Sequence, residues 1–126
     1  MRLIPFVVVA VCTLSACARA NSTSTQRSSA NMLSAEQLAG TNSSNLFDAI
    51  FKLRPDWLNS RGPTSVTDPT PTLASVFMGG SNLGRIDYLR QVGILDVSEV
   101  RFWDAARASA RFGQGHPRGV IELIRK

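Results

Sequence analysis

The chain has 126 residues and a net charge of +5, with 18% charged residues, two cysteines and one histidine. That length supports one small domain. A lone histidine leaves no second imidazole for a zinc site, and basic residues scattered without a dense run give no footprint for nucleic acid.

The predicted elements begin with a leader. Arg2 precedes an uncharged, mostly apolar stretch from Leu3 to Leu14, too short to cross a bilayer but suited to the apolar region of a secretory signal. It runs into Leu14-Ser15-Ala16-Cys17, which resembles the bacterial lipobox, Leu-small-small-Cys. The resemblance implies cleavage after residue 16 and a lipid, palmitate included, on Cys17. The alternative is an ordinary secretory signal cut after Ala20, since Ala18-Arg19-Ala20 fits the small-x-small pattern. The lipobox cut leaves 110 residues, and loss of Arg2 leaves 13 basic against 9 acidic side chains, a net of +4. Cys12 departs with the leader and Cys17 is acylated, so disulfides, cysteine–zinc sites and thiolate catalysis are not expected. Ala18 in place of Asp after the lipid site implies, by the same resemblance, sorting to the outer membrane, on either its periplasmic or its surface face. Residues 17–33 read as a disordered tether, rich in Ser, Thr and Asn with little to bury.

The domain is expected over residues 34–126. Ser34 and Gln37 form a capping box for a short helix that stops at Gly40. Leu46, Ala49, Ile50 and Leu53 define one face of a second helix, with Phe47 and Phe51 beside it, Asn45 as cap, Asp48 in the first turn and Pro55 at the end. Trp57 and Leu58 are expected to fold back on it. Residues 59–72 read as an exposed connection rich in Pro, Thr and Ser. A strand over 73–78 turns at Gly79-Gly80, and a helix is predicted from Leu83 through Ile86 and Leu89 to Gly93. In the next strand, residues 97–103, Val100 and Phe102 face one way and Glu99, Arg101 and Trp103 the other. Ala105, Ala108 and Phe112 share a helix face, with Gly113 in the left-handed position after it. Residues 119–125 form a last strand, apolar on both sides and therefore central or covered by helices. The pattern predicts an α/β (α+β) domain with a mixed sheet of about three strands and short helices.

The closing stretch, "DVSEVRFWDAARASARFGQGHPRGVIELIRK", resembles the C-terminal half of the plug domain of TonB-dependent outer-membrane receptors. Asp96-Val97 opens the match, and Ala106, Ala108, Ser109 and Ala110 fit its run of small residues. Phe112-Gly113 stands for its aromatic–glycine pair, and Gly119-Val120-Ile121 for its Gly-Val-Ile step. The resemblance implies a plug-like fold, an envelope location and the binding of other proteins. Small alanines would let the helix lie close on the sheet, and Gly119 would sit where a side chain collides. The sequence departs from the family at its edges. No alternating transmembrane strands follow Lys126 and no TonB box stands in the tether, so transport through a barrel is not implied.

His116 lies in the stretch that varies most within that pattern, which favours a loop residue without a buried partner over a catalytic one. Asp104 or Glu122 could orient its ring, and Ser109 could lie near it. The aspartates are dispersed in no recognisable motif, and Trp57 and Trp103 fit a core or a rim better than a ligand surface. No cofactor, metal or enzymatic activity is expected. The expected function is protein binding by an envelope lipoprotein held to the membrane through its lipid, with an outer-membrane protein as partner. The alternative is a small-ligand-binding lipoprotein that delivers substrate to an outer-membrane transporter.

Overall fold

A computed structural model describes residues 30–60, 62–63 and 65–126. The leader, Cys17 and the tether up to residue 29 lie outside the described residues. Five strands form one mixed sheet in the order β1-β4-β5-β2-β3. They are β1 (Met32–Ser34), β2 (Ser75–Met78), β3 (Ser81–Arg85), β4 (Val97–Trp103) and β5 (Val120–Arg125). Among the described residues three α-helices accompany them, α1 (Ala35–Ala39), α2 (Leu46–Leu53) and α3 (Ala105–Phe112), with 3-10 turns at Pro55–Trp57, Ile86–Gln91 and Ile94–Asp96. The class is α+β with a mixed sheet and short helices. The sheet has five strands where three were expected.

Both extra strands have a physical origin. Met32 and Leu33, assigned above to the tether, pair antiparallel with Arg101 and Val100. Leu33 is thereby buried, while Ser34 ends the strand and also caps α1, its hydroxyl accepting from the Gln37 amide. The second is β3. Leu83, Ile86 and Leu89 imitate a helical period, yet Gly79 and Gly80 take φ of 58° and 84°. That pair closes a tight hairpin between β2 and β3, for which Gly-Gly is a strong signal. The chain becomes helical only at Ile86, and then as a 3-10 turn. A bulge between Val76 and Phe77 shifts the β2–β3 register.

The other boundaries follow from caps and periodicity. Asn45 accepts from the Asp48 amide at 2.9 Å to start α2, and Arg54 ends it before Pro55. Trp57 and Leu58 are buried against that helix and the sheet. Asp104 caps α3 by accepting from the Arg107 amide at 2.9 Å. β5 runs between β4 and β2 with residues 120–123 buried on both faces, so its apolar Val120, Ile121 and Leu123 fit a central strand.

The sheet is covered unequally. On one face Val76, Val100, Ile121 and Leu123 meet Leu38, Leu46, Ala49 and Ile50 of the first two helices, together with Ile86, Leu89 and Ile94 of the 3-10 turns. On the other face a small cluster of Phe77, Ala108 and Val120 is flanked by Trp103 and Phe112. Among the described residues, α3 and the loop after it cover that side.

Candidate functional site

Among the described residues, the buried charged side chain lies on the thinly covered face. Glu122 alternates with Ile121 and Leu123 on β5 and so points away from the main core, toward α3. It is only 8% exposed. Its Oε2 accepts from the Trp103 indole Nε1 at 2.9 Å, and its Oε1 accepts from Arg111 Nη2 at 3.2 Å. A carboxylate this deep requires such partners, since an unpaired buried charge is strongly destabilising. The guanidinium of Arg111 also lies 4.9 Å from the Trp103 ring centroid and 5.6 Å from that of Phe112. Its side chain is 51% exposed, so the pair is open to solvent on the arginine side.

Two open grooves border α3. Phe77, Gly79, Gly80, Arg111, Phe112 and Glu122 line one, and Asn31, Met32, Arg101, Phe102, Trp103 and Arg107 line the other. Glu99 pairs with Arg101 on the same face, and that bond holds the Arg101 guanidinium protonated even more firmly than usual. Arg107 pairs with Asp104 at 3.5 Å.

The residues singled out in the sequence are dispersed over this frame. His116 is half-buried, not free. Its Nδ1 lies 2.9 Å from Ser75 Oγ, and its ring meets Phe77 edge-on at 5.2 Å. Neither Asp104 nor Glu122 orients it, because the first caps α3 and the second turns to Trp103 and Arg111. Ser109 donates to the Ala105 carbonyl at 2.8 Å. The sequence could not show the partner of His116, because Ser75 lies 41 residues earlier. Of the small-residue run, Ala108 is buried, while Ala106, Ser109 and Ala110 are exposed. Close approach of α3 to the sheet therefore depends on Ala108, with Ala105 half-buried beside it. Asp96 is exposed in a 3-10 turn, and its carbonyl accepts from the Lys126 amide at 3.4 Å. Trp57 stacks on Phe102 with ring centroids 5.5 Å apart, inside the main core.

The loop from Gly113 to Gly119 acts as a clamp. Gly113 has φ 90° and ψ −178°, an extended mirror region reserved for glycine and not the left-handed helical position expected for it. His116-Pro117-Arg118-Gly119 is a β-turn in which the Gly119 amide donates to the His116 carbonyl at 2.9 Å, with Pro and Gly where such turns favour them. Arg118 donates to the Asn59 carbonyl at 2.8 Å and the Asp56 carbonyl at 3.2 Å. Gly119 has φ 91°, and a Cβ there would lie 2.2 Å from the Trp103 carbonyl oxygen. Val120 and Ile121 then enter opposite faces of the sheet, both buried.

No family model, no curated protein and no solved structure matches this chain.

Proposed function

We propose that this chain is a non-catalytic envelope lipoprotein, anchored through Cys17, whose plug-like domain binds another protein at the outer membrane. The observation that carries the reading is the thin face of the sheet. There Trp103, Phe112 and Arg111, residue types enriched where proteins bind each other, border two open grooves around a buried carboxylate. In keeping with the plug resemblance, its Gly-Val-Ile step coincides with Gly119, where the backbone leaves no room for a side chain. The small-residue run likewise includes Ala108, buried on the sheet-facing side of α3.

The test is a crosslinking pull-down from native membranes with the parent, Arg111→Glu and Trp103→Phe proteins. One outer-membrane protein recovered with the parent, and about tenfold less with Arg111→Glu, supports the proposal. Equal recovery from all three, or recovery of none, overturns it. The ligand-delivery reading rests on the groove bordered by Phe102 and Trp103. Native mass spectrometry of the purified parent tests it: a small molecule retained by the parent and lost with Trp103→Ala supports that reading instead.

A further inference from the structure

The connection from β4 to β5 carries α3 and is closed below it. Trp103 pairs with Val120 across the two strands, and Gly119 is pressed against the Trp103 carbonyl, where a Cβ would lie 2.2 Å away. The return leg is fixed as well. His116 meets Ser75 at 2.9 Å, and Arg118 donates to the Asn59 and Asp56 carbonyls. Between these fixed points α3 is held by little. Ala108 is its one buried residue, and Ala106, Arg107, Ser109, Ala110 and Arg111 are exposed. Phe112 is half-buried between Phe77 and Trp103, with ring centroids 4.7 Å and 6.2 Å away. Among the described residues, the side chains of α3 make one polar bond to the sheet, from Arg111 Nη2 to Glu122 Oε1 at 3.2 Å. By contrast α2, also of eight residues, buries Leu46, Ala49 and Ile50 and packs Phe47 and Leu53 on the main core. Eight residues are too few to sustain a helix without such packing.

The second observation is that removing α3 strands no charge. Trp103 Nε1 and Glu122 Oε2 belong to adjacent strands, so their 2.9 Å bond does not depend on the helix. Arg111 alone would leave the carboxylate, and water would replace it from the side where the guanidinium is already in solvent. The exit from the helix is permissive too. Gly113 and Gly115 have φ of 90° and 102° and stand in open space, so the chain after α3 changes direction there without collision.

We propose that α3 is a detachable cover: residues 104–115 open as one unit while the sheet and the deep core stay folded. The open state uncovers Phe77 and Val120 beside Trp103, so closure of the cover competes with a partner for those side chains. That regulatory use rests on the protein-binding function proposed above, whereas the opening belongs to the chain alone, and the experiment separates the two.

Native-state hydrogen exchange of the whole mature protein in detergent, with no partner present, tests the opening. The amides of Ala108–Phe112 should exchange at least about 100-fold faster than those of Ile121 and Leu123 after correction for intrinsic rates. Their dependence on low urea should be at most about one third as steep, because opening α3 exposes little surface. Ile50→Val, in the deep core, should speed the Ile121 and Leu123 amides about fivefold and leave the α3 amides within about twofold, since Ile50 stays packed when the cover opens. Phe112→Ala should speed both sets about tenfold, because its contacts are lost in either event. A single urea dependence shared by α3 and β5, or an equal response of both to Ile50→Val, overturns the proposal. Rates that rise evenly toward Phe112 with no urea dependence show fraying of one helix end and overturn it too. Cooperative opening of α3 in a protein whose membrane pull-down recovers no partner supports the cover and overturns the proposed function instead.

Discussion

The two faces of the sheet are built to different standards. Beneath α1 and α2, seventeen buried side chains interlock in one cluster, among them eleven Leu, Ile or Trp residues. Beneath α3, three buried residues and two half-buried aromatics do the same task, supplemented by a carboxylate that is stable only because Trp103 and Arg111 bond to it. A face built on polar bonds and half-covered rings is less stable locally and better suited to exchange its contacts for those of a partner. The deep face buries most of the core, and the thin face rests on fewer contacts.

Substitutions that probe each face should separate in size. The largest effect is expected at the seam between α3 and the sheet. Gly119→Ala forces a Cβ into the Trp103 carbonyl at a φ of 91°. Overpacking and strain together should cost about 3 kcal/mol or more, and thermal melts should show a drop of at least about 10 °C. Next, Leu123→Ala on the deep face should cost about 2–5 kcal/mol. Phe112→Ala on the thin face, where the ring is already half in water, should cost about 1–2 kcal/mol. Equal losses in chemical denaturation would break the comparison.

Smaller effects sharpen it. His116→Ala and Ser75→Ala remove the same 2.9 Å contact and should each cost about 1 kcal/mol, with the double variant little worse than either single one. Additive losses would show that the two side chains act independently. The smallest effect lies outside both faces. The Thr70 hydroxyl and amide donate to Asp68 and hold its carboxyl below the usual carboxylate range. These bonds favour the folded state above the ordinary aspartate pKa and are lost as pH falls through the lowered one. Thr70→Val removes the hydroxyl, so the Asp68 midpoint in an NMR titration should move upward.

Much of this frame was legible in the sequence, and the gaps have physical causes. Caps at Ser34 and Asn45 are local bonds between residues three apart, so spacing alone shows them. Val120, Ile121, Leu123 and Ile124, apolar on both sides, indicate a central strand for a similar reason. The turn at Gly79-Gly80 is legible, but the returning strand β3 is hidden because Leu83, Ile86 and Leu89 fit a helical period. β1 was missed because three residues are too few to show a period, and Ser34 already had a role as cap. The thin face was not legible. Trp103, Arg111 and Glu122 meet only through the β4–β5 register and the landing of α3, which are tertiary facts. The Ser75 contact of His116 is hidden for the same reason.

The claim that the two faces have separate roles is tested most directly by photocrosslinking in native membranes. A benzophenone amino acid is placed at Ala110, on the outer side of α3, and in a second protein at Phe51, exposed on α2. The account predicts a discrete protein adduct from position 110 and no protein adduct from position 51. A protein adduct from position 51 with none from position 110 would contradict it.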